Sequence, residues 1–148
     1  MLALFALTLA LGIVLLIAFD PDVQTIDADE LADRSDDARA FLAGDFLFVA
    51  LYAVLSPIAI WRFGSTLGAG SPPRWMIVAV LLLVAAGAVD ATENTLLLSS
   101  TGSVSTGRVD AAHALAIPKI TLFVVGALLA IAAQVRAVQV LRSTGHPA

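Results

Sequence analysis

Apolar residues in this chain fall in long unbroken blocks separated by short polar segments. Four blocks stand out, at about Leu2–Phe19, Phe41–Trp61, Trp75–Leu98 and Ala111–Val135. A helix that crosses a bilayer needs roughly 20 consecutive apolar residues, and all four blocks approach or reach that length. A transmembrane barrel would instead show ~10-residue segments of alternating polarity. The pattern predicts an all-α fold, with residues 1–148 forming one four-helix membrane domain. The first block also invites reading as a cleaved signal peptide. It has no basic flank before it and no small-x-small cleavage site after Phe19, so a retained helix is the first expectation and cleavage the alternative.

The connecting segments differ in charge. Asp20–Ala40 carries Asp20, Asp22, Asp27, Asp29, Glu30, Asp33, Asp36 and Asp37 against Arg34 and Arg39. The segment between the second and third blocks carries Arg62 and Arg74 and no acid, and the C-terminal tail carries Arg136, Arg142 and His146. Basic residues mark the cytoplasmic side of short loops, and Trp61 and Trp75 bracket the basic loop where interfacial aromatics belong. The bias is four basic residues against three. With an even number of spans, it predicts both termini in the cytoplasm and the acidic segment outside. Within that segment Leu31, Ala32, Ala38, Phe41 and Leu42 have helical spacing, and Thr25 or Asp27 could cap a short surface helix. Its acids read first as a solvated loop, since they match no calcium-loop spacing. Pro72-Pro73 suits entry to the third helix. Ser99–Gly107 reads as an outer turn.

Composition adds little to this frame. The chain is 59% hydrophobic and 14% charged, against about 45–50% and about 25% for soluble domains. No cysteine is present, which removes disulfides, thiolate catalysis and Cys-ligated metals. No basic face suggests nucleic acid. Nucleotide-binding, zinc-protease and serine-hydrolase motifs are missing, and neither a metal nor a cofactor is expected. Small multidrug exporters are similar in size but use an acid in their first helix, where this chain has no charge.

The informative residues are those that break the apolar blocks. An Asp or Lys at the centre of a spanning helix costs roughly 2.5–3.5 kcal/mol on insertion scales. Asp90, Glu93 and Asn94 share one helical face, continued by Leu83, Ala86, Gly87 and Leu97. Lys119 shares a face with Ala112, Ala116, Gly126, Ala130 and Ala133, small residues that let helices approach closely. Asp45, Val49, Tyr52 and Ser56 form a third stripe. At 1.5 Å per residue, Asp90 and Lys119 lie ~14 and ~15 Å below the outer helix ends, with Tyr52 level at ~16 Å. An ion pair between Lys119 and Asp90 or Glu93 is therefore expected. A polar pocket of Tyr52, Asp90, Glu93, Asn94 and Lys119 would carry Asp45 and His113 at its outer rim. Pro118 should disrupt the helix just before Lys119 and free the Ala114 carbonyl.

Each of these residues also has a plainer reading. Asp90, Glu93 and Lys119 can fix helix register, Asn94 can bond between helices, Tyr52 can pack, His113 can sit at the interface and Asp45 can be hydrated. The three acids outnumber the one obligate cation, and crowded carboxylates cannot all ionise in a low dielectric. Three functional classes follow for a multi-pass protein of the cell membrane. The first is a non-enzymatic accessory subunit or a lipid- or small-ligand-binding protein, alone, as a homo-oligomer or in a larger membrane complex. The second is a proton- or ion-coupled transporter. The third is a lipid-modifying enzyme with Glu93 or Asp90 as acid/base and Lys119 as electrostatic stabiliser.

Overall fold

The computed structural model describes residues 27–33, 35–67, 73–101 and 105–144. The first apolar block, with its retained or cleaved helix, lies outside the described residues. Among the described residues the chain is all-helical. Helices α1 (Ala28–Asp33) and α2 (Ser35–Ala50) lead into a π-helical segment, Leu51–Leu55, and on into α3 (Ser56–Leu67). Two long helices follow, α4 (Arg74–Ser100) and α5 (Thr106–Thr144). Among the described residues three stretches are long and apolar enough to cross a membrane: Ser35–Trp61, Arg74–Ser100 and Thr106–Ala133.

The helix ends follow from local chemistry. Asp29 and Glu30 occupy the first turn of α1, and Asp36 and Asp37 that of α2, where carboxylates complement the positive end of the helix dipole. Pro73 is extended before α4, and its carbonyl accepts from the Met76 N–H at 2.9 Å. At the other end of α4 the hydroxyl-rich turn serves as a cap. The Ser99 and Ser100 hydroxyls donate to the Leu96 carbonyl, and the Thr101 hydroxyl donates to that of Leu98. Arg108 Nη1 donates to the Ser99 carbonyl at 3.3 Å, a cation against the negative end of the dipole. Carbonyls left open at a helix end in a dry setting would each cost several kcal/mol.

Three boundaries correct the sequence-based expectations. The second span begins at Ser35, six residues before Phe41, because the apolar positions of the acidic segment pack inward. Ala28, Leu31, Ala38, Phe41 and Leu42 form a buried cluster with Leu97, Val109 and Ala112. The fourth helix begins at Thr106 and runs on through Pro118 to Thr144. Pro118 therefore does not break it, and its position is exposed, where the ring has room. The π-helical segment was not foreseen. Ser56 N–H bonds the Leu51 carbonyl five residues back, and the Ser56 hydroxyl adds a second bond to it at 3.1 Å. The next residue, Pro57, has no N–H to continue the α ladder.

Helix α4 is central, packing on α2 and the π segment on one side and most extensively on α5 on the other. The contacts are close where residues are small. A methyl group added at Gly87 would overlap that of Ala53 in the π segment. One added at Gly126 of α5 would meet Leu83 at 3.1 Å and Leu82 at 3.2 Å. A second buried cluster gathers Val49, Tyr52, Ala53, Ile60, Met76, Leu83, Ala86, Ala130 and Ala133. Each long helix thus passes from one cluster to the other through a polar layer. Asp45 lies between Leu42 and Val49, Asp90–Asn94 between Ala86 and Leu97, and Lys119 between Ala112 and Ala130.

Candidate functional site

The polar layer is built from three helices. On α4 the i, i+3, i+4 spacing places Asp90, Glu93 and Asn94 on the buried face, with Glu93 and Asn94 fully enclosed. Lys119 comes from α5 across the small-residue seam. Its Nζ lies 2.8 Å from Glu93 Oε2 and 3.1 Å from Asp90 Oδ1, so one ammonium bridges both carboxylates. The ion pair expected from matched depth is present. Both contacts are ion pairs by distance, yet neither carboxylate oxygen takes a well-aligned hydrogen bond from any described donor.

The third side comes from the continuous rod formed by α2, the π segment and α3. Tyr52, 2% exposed, donates its hydroxyl to Asp90 Oδ2 at 2.8 Å. Its ring is held by Phe48 at 5.1 Å and by Phe123 of α5 at 4.9 Å, edge to face. Tyr52 sits inside the π segment, whose wider turn sets the side chain's direction and brings Ala53 against Gly87. Sequence reasoning placed Tyr52 at the right depth but not on this backbone irregularity. The signal was available in Ser56-Pro57, which sits four residues after it in an apolar run.

Asp45 departs from expectation. It is not a hydrated rim residue: it is 8% exposed and accepts a hydrogen bond from Asn94 Nδ2 at 2.7 Å. The physical reason is the early start of α2. The cluster of Phe41, Leu42, Leu97 and Val109 closes over the position that a helix starting at Phe41 would have left near the surface. His113 is half-buried, within electrostatic reach of Glu93, and its Nε2 is buried without a hydrogen-bond partner among the described residues. Glu93 Oε1 and Asn94 Oδ1 are likewise buried and unpartnered.

The structure therefore brings six residues to one level as two contact sets, Tyr52, Asp90, Lys119 and Glu93 in one and Asp45 with Asn94 in the other. Among the described residues no group of three His, Asp or Glu side chains is placed to hold a metal. Chemically, the layer joins three helices through charge and leaves three formal acids against one lysine. Comparison of the chain with known protein families, with curated proteins and with solved structures finds no match.

Proposed function

We propose that this chain is a small non-enzymatic subunit of the cell membrane, a four-span bundle in which residues 2–19 supply the first span and both termini are cytoplasmic. The polar layer acts as an interhelical clamp. The observation that carries this reading is the Lys119 ammonium bridging Asp90 and Glu93 while Tyr52 caps Asp90 from a third helix. Direct contact between the side chains favours a clamp over a ligand pocket. The broad outward face of α5 supports a role beside other membrane helices or lipid, since Ile117, Ile120, Val124, Leu128, Ile131 and Val135 are all exposed.

The clamp reading is tested by replacing it with apolar groups. Lys119→Met alone leaves two buried acids without their cation and should destabilise the fold strongly. Lys119→Met with Asp90→Leu and Glu93→Leu should restore the fold and complement a strain lacking the gene as the native chain does. A triple variant that folds but fails to complement would move the layer to transport or lipid chemistry. The topology is tested on the cysteine-free background. Cysteines introduced at Asp29 and Ser71 should label from opposite sides of the membrane, and labelling from one side would end the four-span arrangement.

A further inference from the structure

The Lys119 clamp does not account for Asp45. This carboxylate is buried, and among the described residues it accepts from a neutral amide, Asn94 Nδ2 at 2.7 Å. Two cations of the described residues near this end of the bundle are engaged elsewhere. Lys119 is held by Asp90 and Glu93, and Arg39 by Asp36 and Thr101. The charged groups facing Asp45 are Asp90 and Glu93 from α4 and Lys119 from α5, with Tyr52 on its own rod and His113 further along α5 near Glu93. The acids of α1, Asp29, Glu30 and Asp33, point to solvent. Around an ionised Asp45 the layer would hold three negative charges and one positive.

Asn94 supplies the independent observation. It is fully buried, and its Oδ1 has no donor among the described residues. An ionised carboxylate only accepts hydrogen bonds, so it cannot serve that oxygen. Turning the amide over would set two oxygens against each other and orphan the Nδ2 donors instead. A carboxylic acid resolves both ends at once. Its hydroxyl donates to the amide oxygen while its other oxygen accepts from the amide nitrogen, the complementary ring that a carboxyl and a carboxamide form. The two polar atoms of Asn94 sit on one carbon, so a protonated Asp45 lying edge-on to the amide would meet both.

We propose that Asp45 and Asn94 form a proton-binding site. The bound species is a proton taken from water, held on Asp45 and shared with Asn94 Oδ1, while Asn94 Nδ2 donates to Asp45 Oδ2. No metal coordination set is required, and none is formed by the described residues. The site is separate from the Lys119 clamp. Asp45 and Asn94 remain in the triple variant, so either idea can fail without the other.

Infrared difference spectroscopy on the full chain in lipid vesicles tests it. The native protein at neutral pH should show the carbonyl stretch of a buried carboxylic acid. Asp45→Asn, which keeps the shape and can still pair with Asn94, should lose that band. Asn94→Leu should shift it as the acid's acceptor disappears, and Glu93→Gln should leave it in place. Where a variant does not fold, the native chain labelled with ¹³C-aspartate and ¹⁵N-asparagine gives the same answer, because Asn94 is the sole asparagine and its side-chain nitrogen picks out the Asp45 carboxyl. One carboxyl resonance should sit in the protonated range across the pH span in which exposed aspartates titrate. No acid band or resonance in the native protein would overturn the proposal. So would a band that survives Asp45→Asn, or one lost only in Glu93→Gln, which would assign the proton to Glu93.

Discussion

Helices α4 and α5 are similar in length within the apolar core and nearly equal in mean hydropathy, yet they bury different shares of themselves. A third of the α4 span is buried, 33%, against 11% of that of α5. What α4 buries is small or polar, namely Ala79, Ala86, Gly87, Asp90, Glu93 and Asn94, along with Met76, Leu83 and Leu97. What α5 exposes is large and apolar, with Ile117 at 78% and Leu128 at 62%. In water the assignment would run the other way. Hydrocarbon is as apolar as leucine, so large side chains gain little by leaving it, while polar groups must turn inward to find partners. Burial here follows residue size and hydrogen-bonding need.

This contrast can be broken most severely at its polar centre. Lys119→Met should destabilise by ~3–5 kcal/mol, because removing one partner leaves buried charge uncompensated, and apolar replacement of all three should return most of the loss. Unfolding from detergent–lipid micelles followed by circular dichroism would measure both. Next in size is Gly87→Ala. Its methyl would collide with Ala53, and overpacking of this kind costs ~1–3 kcal/mol. Gly107→Ala is the matched control, since nothing lies within 4 Å of its position, and it should be neutral or stabilise by up to ~1 kcal/mol through helix propensity. Equal losses at both glycines would remove the close α4–π-segment contact from the account.

Smaller effects sharpen the same comparison. Tyr52→Phe deletes the 2.8 Å bond to Asp90 while keeping the ring contacts with Phe48 and Phe123. Interhelical hydrogen bonds in membranes average ~0.6 kcal/mol, with ~1.7 as a maximum, and the loss should fall in that range. Ile117→Ala on the outward face should change stability by less than ~0.5 kcal/mol, as expected for substitutions away from packed features. A loss of several kcal/mol there would mean that another helix covers the face of α5.

Much of this organisation could be read from residue order alone. Apolar block length located the three described spans. The i, i+3, i+4 spacing of Asp90, Glu93 and Asn94, and the seven-residue steps from Ala112 to Lys119 to Gly126, gave the facing stripes. Counting rise per residue brought Lys119 level with Asp90. What escaped depended on tertiary context. The acids around Ala38 disguised the start of α2, because their side chains face out while Leu31, Ala38 and Leu42 face in, and that hid the burial of Asp45. The π segment escaped because a one-residue shift in backbone hydrogen bonding, as from Ser56 N–H to the Leu51 carbonyl, leaves little mark on the polarity pattern. Pro118 misled because a proline on the exposed side of a long helix bends or interrupts only where the surroundings allow it. The partner of Asp45 could not be read at all, since Asn94 is 49 residues away and only the packing of α2 on α4 joins them.

The central claim is that the charges of α5 and α4 meet inside the bundle, and it admits one direct measurement. Lys119 is the sole lysine of the chain, so ¹⁵Nζ-lysine labelling marks a single atom, and only Glu30 and Glu93 carry a glutamate carboxyl. Solid-state NMR distance measurement in lipid bilayers, between Lys119 Nζ and the ¹³C-labelled Glu carboxyl carbons, should show a strong dipolar coupling consistent with the 2.8 Å contact to Glu93 Oε2. The coupling should vanish in Glu93→Gln and persist in Glu30→Gln. A lysine nitrogen with no short coupling to Glu93, in a folded chain, would remove the bridge between the two carboxylates and contradict the account.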